Sequence, residues 1–183
     1  MLFRHGVPVN RAALLVPETD EYAPYYGRYI SQVPAGDLVE VMEAQAAAFT
    51  GCLGGLDEAA ANFRYAPGKW TLKEIVGHLA DTERVFVYRA LSLARGDSSP
   101  LPGVEPDAWM PQARFQDRSL DGLLGEWSAV RQASLAFLRG LPEDIDFNRG
   151  MASGCPFSVR ALVYVVPGHL QHHMAVIRER YLS

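Results

Sequence analysis

Two histidines near the end of the chain, His169 and His173, stand four residues apart in an otherwise apolar segment. In an α-helix with 3.6 residues per turn their side chains point about 40° apart, so both imidazoles can reach one point beside the helix. Such a pair can bind a metal ion. It can equally be a hydrogen-bonded pair in the core or a partly exposed pair at its edge. His172 points to the side of this face.

A third histidine, His78, lies in another segment with helical apolar spacing, on the face that also carries Thr82 and Phe86. A lone histidine on an apolar face is more often a core residue than a ligand. Apart from His5, however, it is the only histidine outside the C-terminal cluster. Three imidazoles from two helices would leave coordination positions open, which is typical of catalytic rather than structural zinc. A water bound there could lose a proton near neutral pH.

Four segments have the apolar spacing and the end signals of long helices that could position these histidines. Thr71 and Glu74 form a capping box at the start of the second helix. Pro167 lies inside the fourth, where it predicts either a kink that aims His169 or a helix that begins later. Four such helices predict an all-α four-helix bundle, in which facing helices can build a metal site. The predicted helices begin after Asp37, Thr71, Ser119 and Ser158 and end near Leu53, Arg95, Arg139 and Leu182.

The remaining segments predict an N-terminal arm and two long loops around a single domain. Residues 1–36 are rich in proline, glycine and tyrosine and predict an arm that packs its tyrosines on the core, while residues 37–183 form the bundle. Residues 97–116 contain four prolines and predict a crossover loop anchored by Trp109 and Phe115. Residues 143–157 predict another loop. No alternating pattern indicates a strand.

Composition and charge restrict the classes of function. With 49% hydrophobic and 21% charged residues, the chain has the composition of an ordinary globular domain. The net charge is −4 and the basic residues are scattered, which disfavours nucleic-acid binding. Because no apolar run reaches about eighteen residues and the first residues do not resemble a signal peptide, we expect a cytoplasmic protein that does not insert into a membrane. Cys52 and Cys155 lack the spacing of a disulfide framework or a zinc ribbon.

Five stretches of the sequence match the motifs of a known family. They are residues 65–74 (YAPGKWTLKE), 77–84 (GHLADTER), 88–91 (YRAL), 158–162 (SVRAL) and 168–173 (GHLQHH). On these motifs the chain, from about Tyr22 to Leu182, resembles the DinB-like superfamily. Within that superfamily it is similar to the larger division, which holds the bacillithiol and mycothiol S-transferase-like proteins and the YfiT-like group of metal-dependent hydrolases.

The resemblance implies a four-helix bundle, often a homodimer, that binds a divalent metal ion through His78, His169 and His173. Zinc is the first expectation for this metal, with nickel, iron or manganese as alternatives. Many relatives carry glutamate where this chain has Leu170. Its side chain points away from the histidine pair, so we expect an altered rim rather than an empty site.

The function that the resemblance implies is transfer of a low-molecular-weight thiol to small electrophiles. A metal-dependent hydrolase that uses the same three histidines is one alternative. A non-enzymatic metal-binding bundle with a role in a stress response is the other. The expected partner is a small-molecule substrate, with neither nucleic acid nor membrane.

Two acidic residues could also serve the site. Asp81, three residues after His78, could orient an imidazole or act as a general base, or it could pair with Arg84 or Arg89. Glu74 could do the same, although the capping box already accounts for it. Asp81 is therefore the predicted catalytic residue.

Arg84, Arg89 and Arg160 could bind a carboxylate-bearing substrate, or they could brace the helices. Cys155 has no histidine nearby in the sequence, and no nucleophile elbow is present. A thiol nucleophile would therefore come from a cosubstrate. Aromatic residues of the loops could line a pocket mouth or cover the core: Tyr65, Trp70 and Trp109.

Overall fold

The computed structural model describes residues 14–145 and 148–182 and shows a four-helix bundle. Shorter helices and one β-hairpin join the long helices. Among these residues, no helix is long and apolar enough to cross a membrane. The helices are α1 Gly27–Ile30, α2 Leu38–Leu53, α3 Glu58–Ala61, α4 Leu72–Ala94, α5 Pro106–Ala113, α6 Leu120–Arg139 and α7 Val159–Arg180, and the strands are β1 Arg149–Ala152 and β2 Cys155–Ser158.

Each long helix begins at its predicted N-cap. The carboxylate of Asp37 accepts hydrogen bonds from the N–H groups of Val39 and Glu40, at 2.8 and 3.2 Å. Thr71 and Glu74 form the predicted capping box. Because these side chains satisfy N–H groups that have no partner in the first turn, the helix starts follow from local sequence. Ser119 and Ser158 cap α6 and α7 in the same way.

The order of the helices around the bundle differs from their order in the sequence. α4 packs against α6 and α7, and α2 packs against the same two helices. α2 therefore lies diagonal to α4, and α6 lies diagonal to α7. The chain crosses the bundle between these diagonal helices through residues 54–71 and 140–158. As a result α4 and α7, which carry the histidines, are direct neighbours.

α7 runs from Val159 to Arg180 with Pro167 inside it, so the alternative of a helix that begins after the proline is wrong. The Pro167 carbonyl oxygen accepts a hydrogen bond from Nε2 of Gln45 in α2, at 3.1 Å. This bond joins α2 to α7 two residues before His169.

A layer of buried polar side chains divides the hydrophobic core. Arg131 is 0% exposed, and its Nε and Nη2 each donate to the carboxylate of Glu83 at 2.9 Å. Gln45 and His169 lie in the same layer, so each long helix contributes one member. Two apolar clusters lie on the two sides of this layer, one around Trp127 and one around Leu162.

The N-terminal arm is held at the start of α7. Arg160 donates to both carboxylate oxygens of Glu21, with Nε at 2.7 Å, and the Ser158 hydroxyl donates to the same carboxylate at 2.6 Å. All three side chains are buried. α1 follows and packs on α7, where Tyr29 is buried, whereas Tyr25 is 57% exposed. Residues 1–13 lie outside the described part of the chain, and the domain boundary at residue 36 stays a prediction.

The first predicted loop contains a helix. Pro106 occupies the first turn of α5, where its missing N–H is not needed, and a 3-10 turn follows at Phe115–Asp117. Phe115 is buried, as predicted for an anchor. Trp109 is 43% exposed, so its interpretation as the second anchor is wrong, and Met110 is buried in its place.

The second predicted loop contains a hairpin, so the expectation of no strand is wrong. β1 and β2 pair in antiparallel fashion around a two-residue turn. Ser153 and Gly154 have φ values of 55° and 72°, as a type I′ turn requires. Each strand has only four residues, which is too short for an alternating pattern to be recognised. Cys155 begins β2 and is half-buried.

Candidate metal centre

Three histidine side chains converge between α4 and α7. The Nε2 atom of His169 lies 3.3 Å from Nε2 of His78 and 3.1 Å from Nε2 of His173. One ring nitrogen from each histidine lies within 4.8 Å of the other two. His78 and His169 are buried, and His173 is half-buried. The structure thus brings together the three histidines selected from the sequence, and His172 is not part of the group.

Thr82 controls the orientation of His169. Its hydroxyl donates a hydrogen bond to the His78 carbonyl oxygen at 2.7 Å, and the same oxygen lies 3.4 Å from Nδ1 of His169. Because its proton is already used, the hydroxyl can only accept from His169. This favours the proton on Nδ1 and leaves the Nε2 lone pair directed at the other two rings.

Burial keeps the three imidazoles neutral. It lowers the pKa of His78 to about 4. Burial, with the nearby rings of His78 and His172 and the charge of Arg28, lowers the pKa of His173 to about 3. Burial and the neighbouring imidazoles also lower the pKa of His169. Neutral imidazole is the form that binds a metal, so the three rings are in the binding form near pH 7.

The three nitrogens fit a divalent transition metal. Their lone pairs converge, and each pair of nitrogens can share at most one proton, so hydrogen bonds among them leave acceptors unsatisfied. A cation between the rings would satisfy all three. Imidazole ligands favour zinc, nickel or iron over calcium and magnesium, which prefer oxygen. With three protein ligands, positions remain for a substrate.

Aromatic walls and two cavities adjoin the histidines. Trp70 lies against His78 with ring centroids 4.6 Å apart, and the ring of Tyr29 meets His169 edge-on at 5.2 Å. Two cavities of about 360 and 380 Å³ share His172, His173 and Trp70 in their walls. These volumes are suitable for a small organic molecule.

Two of the histidines directly follow glycines, and at each of these glycines a neighbouring segment packs closely against the helix. A Cβ at Gly77 would lie 2.4 Å from the ring of Phe115, and a Cβ at Gly168 would lie 2.2 Å from the carbonyl oxygen of Tyr29. Real Cβ atoms do not approach other atoms so closely. Glycine therefore allows neighbouring segments to pack directly beside His78 and His169.

The match to a known family covers the parts of α4 and α7 that carry the three histidines. The profile of the DinB superfamily matches residues 42–177. The chain belongs to the DinB superfamily. A solved structure with a similar fold is that of YfiT from Bacillus subtilis, described as a probable metal-dependent hydrolase with an unusual four-helix bundle topology. The sequence identity is 17% and the TM-score 0.69, over 89% of each chain, so the likeness concerns the fold. No curated protein is significantly similar in sequence.

The two acidic candidates of this DinB-superfamily protein have different surroundings. Asp81 accepts a hydrogen bond from Arg84 at 3.2 Å and lines a small cavity beside His78. Burial raises the pKa of the Asp81 carboxyl, and Arg84 opposes the shift. Its catalytic role stays a prediction. Glu74 closes the capping box and pairs with Arg64 at 2.9 Å, which accounts for its charge.

The three arginines considered for substrate binding separate into two kinds. Arg84 and Arg160 form ion pairs with carboxylates, as the bracing interpretation requires. Within the described residues Arg89 has no carboxylate partner, and it lines the 380 Å³ cavity together with the three histidines.

The loop aromatics line cavities, which is the first of the two alternatives considered for them, but sequence analysis missed another wall. Trp70 lines both larger cavities, Tyr65 lines the first, and Trp109 lines the small one beside His78. The missed wall comes from the N-terminal arm. Only the local Pro-Tyr-Tyr run indicated that the arm is rich in aromatic residues. Its members in the 380 Å³ cavity are Tyr25, Tyr26 and Tyr29.

Proposed function

We propose that this protein is a divalent-metal-dependent enzyme that transfers a low-molecular-weight thiol to a small electrophile. The convergence of ring nitrogens from His78, His169 and His173 within 4.8 Å is the observation that supports it. The adjoining cavities give a small organic substrate direct access to these nitrogens.

A divalent ion bound by the three histidines would supply Lewis acidity that lowers the pKa of a thiol or a water. Neutral imidazoles carry no charge, so this donor set does not offset the charge of the ion. Thr82 holds His169 in the binding tautomer. Trp70 and Tyr29 cover two of the rings and exclude bulk water from them.

The proposed transfer needs a nucleophile from outside the chain, because neither Cys52 nor Cys155 lines the two larger cavities. The cosubstrate thiol gives up its proton to water. Its sulfur forms a bond to the electrophilic carbon, and the leaving group departs with the electron pair of the bond that breaks. The cavities hold the two reactants beside the histidines, which makes the reaction effectively intramolecular.

Hydrolysis at the same site is the second candidate function, and Asp81 favours it. Its carboxyl lines a cavity with His78 and Thr82, where it could accept a proton from an attacking water, and burial raises the pKa of this carboxyl. The solved relative YfiT is likewise described as a probable metal-dependent hydrolase.

Metal analysis of purified protein tests the site. Wild type and His172→Ala should each carry stoichiometric divalent metal, whereas His173→Ala should carry none. The neighbouring His172 is the matched control, because its ring contacts His173 without joining the group. A wild-type protein that binds no added zinc or nickel would refute the proposal.

Reaction assays separate transfer from hydrolysis. With chlorodinitrobenzene and cysteine, metal-loaded wild type should accelerate formation of the thioether, and His173→Ala should not. Metal-dependent hydrolysis of nitrophenyl acetate without any thioether formation would decide for the hydrolase. A protein that binds metal but accelerates neither reaction would support the non-enzymatic alternative.

Homodimerisation also remains a proposal, which rests on the family resemblance. Light scattering of the purified protein measures the mass in solution. A mass equal to that of one chain, 20.2 kDa, would contradict it.

A further inference from the structure

Three arginines are buried in the described part of the chain, and one of them differs from the other two. Arg131 and Arg160 each donate to a buried carboxylate. Arg89 is 2% exposed, yet no carboxylate pairs with it among the described residues. Because a buried cation without a counter-charge is strongly unfavourable, this position is unusual for an arginine.

The contacts of Arg89 are neutral. Its Nη2 donates to the Pro102 carbonyl oxygen at 2.7 Å and to the Ser153 hydroxyl at 2.8 Å. The Tyr26 hydroxyl also interacts with the guanidinium. A guanidinium has five N–H donors, so these three acceptors do not use its full capacity. The arrangement orients the group without neutralising it.

Arg89 faces the cavity that contains the histidines. The 380 Å³ cavity is lined by His78, His169 and His173 in one part and by Arg89 in another. Phe86 separates the two parts, with its ring 6.2 Å from the ring of His169 and 5.8 Å from the Arg89 guanidinium carbon. The cavity therefore offers a cationic end, an aromatic middle and a metal-binding end.

We propose that Arg89 forms a carboxylate-binding subsite of this cavity, and that the substrate or cosubstrate is an extended organic carboxylate with an apolar body. A carboxylate would supply the missing counter-charge and match the fork of the guanidinium. The apolar body would lie against Phe86, Tyr26 and Trp70. The carboxylate subsite gives a substrate class to the site of the proposed function. It rests on the proposed function only for the reaction that the bound substrate then undergoes.

The length of the substrate follows from the helix. His78 and Arg89 lie on the same face of α4, separated by a rise of about 16 Å. A molecule that reaches both ends must be longer than acetate or glycolate. Asp107 also lines the cavity, but it is exposed at the rim, where water screens its charge.

Calorimetric titration with 3-phenylpropionate and its neutral amide tests the subsite. Wild type should bind the carboxylate at least about tenfold more tightly than the amide, as expected for a charge-assisted hydrogen bond. Arg89→Gln should lose this preference. Arg139→Gln removes an exposed arginine paired with Glu43 and should retain it. Equal preference in Arg89→Gln and wild type would overturn the proposal.

A further variant separates the contribution of the Arg89 guanidinium from that of the metal site. His173→Ala, which lacks the metal site, should keep the preference for the carboxylate; loss of it there would show that the carboxylate binds the metal and would overturn the subsite. If Arg89→Gln does not fold, the Arg89 Nε–H resonance of wild type serves instead. It should shift with the carboxylate and not with the amide, and an unchanged resonance would contradict the proposal.

The test of the carboxylate preference is independent of whether the protein catalyses a reaction. If neither thioether formation nor hydrolysis occurs, the carboxylate preference can still be measured in metal-free protein. If the preference is absent while the reactions proceed, only the substrate class is wrong.

Discussion

The hydroxyl of Thr82 determines which nitrogen of His169 can bind a metal. Thr82→Val keeps the shape of the side chain and removes the acceptor for Nδ1–H. We expect metal affinity to fall about 10- to 100-fold, as for other supporting hydrogen bonds to metal ligands. Competition with a chromogenic chelator measures the affinity.

Thr50→Val is the matched control for this variant. Thr50 bonds to the carbonyl one turn earlier in its own helix, as Thr82 does, at 2.9 Å. It lies in α2 and lines neither of the two larger cavities. Equal affinities in the two valine variants would contradict the role assigned to Thr82.

At the level of single residues, the three histidines could be predicted from local patterns, but the sequence left open which of the candidate aromatic and basic residues line the site. The i,i+4 spacing of His169 and His173 and the apolar face of His78 are local patterns. The roles of Tyr29 and Arg89 depend on where the arm and the hairpin lie. Those positions are set by contacts between residues far apart in the chain, which a single sequence does not reveal.

The N-terminal arm, as an element, depends on one buried carboxylate. Burial alone would raise the pKa of Glu21, but hydrogen bonds from Arg160 and Ser158 outweigh it and lower the pKa to about 2 from 4.5. Since the folded pKa is depressed, this stabilisation is complete above pH 4.5 and is lost as the pH falls toward 2. Its size is about 3 kcal/mol. Urea unfolding of wild type and Glu21→Gln across this range should show a flatter acid limb in the variant.

At neutral pH, Glu21→Gln removes the buried carboxylate to which Arg160 donates, and we expect a loss of about 3 to 5 kcal/mol in the free energy of unfolding. Asp20→Asn is the control. Asp20 pairs with Arg149 on the surface, where an ion pair contributes no more than about 1 kcal/mol. A Glu21→Gln variant as stable as Asp20→Asn would show that the arm does not depend on this pair.

α1 can approach α7 only because residue 168 is glycine. Gly168→Ala would place a Cβ 2.2 Å from the Tyr29 carbonyl oxygen, so α1 must move. We expect a loss of about 1 to 3 kcal/mol in urea unfolding. Gly125→Ala in α6 has open space around the new Cβ and should instead gain up to about 1 kcal/mol, because alanine favours a helix. Similar effects of the two substitutions would contradict the close approach.

The helices and strands could be predicted from the sequence where contacts between residues close in the chain determine where they begin and end. Side chains such as Asp37 and Ser158 cap the helices through contacts within three residues, so the long helices begin where predicted. α5 and the hairpin were missed because prolines indicated a loop and the strands are short. The Ser153-Gly154 turn is local, but its strands are stabilised by the rest of the fold.

For the molecule as a whole, we expect a bound metal ion to stabilise a fold that forms without it. The two apolar clusters do not need an ion to be buried. We therefore expect chelation to lower the melting temperature by a few degrees while the far-ultraviolet circular dichroism remains helical, in line with stabilisation by mass action. Unfolding on chelation would identify a structural ion and support the non-enzymatic bundle. His173→Ala should melt at the same temperature with and without chelator.

The diagonal arrangement could not be predicted from the sequence. Four amphipathic helices are compatible with several orders around a bundle. The segments that connect them are long enough to join either neighbouring or diagonal helices. The choice depends on which faces pack together, as in the contact of Gln45 with Pro167.

Four buried polar side chains, one from each long helix, also limit how the helices can slide. A slip of α4 or α6 by one turn, about 5.4 Å, would separate Glu83 from Arg131 and leave a charge in an apolar cluster. Helices that contact each other only through apolar side chains could tolerate such a slip, because similar apolar residues recur in successive turns. The ion pair between Glu83 and Arg131 therefore fixes the position of α4 along the bundle axis relative to α6. Hydrogen bonds from Arg131 to the Met42 carbonyl oxygen and from Gln45 to the Pro167 carbonyl oxygen extend this register to α2 and α7. In the resulting arrangement the Nε2 atoms of His78 and His169 lie 3.3 Å apart.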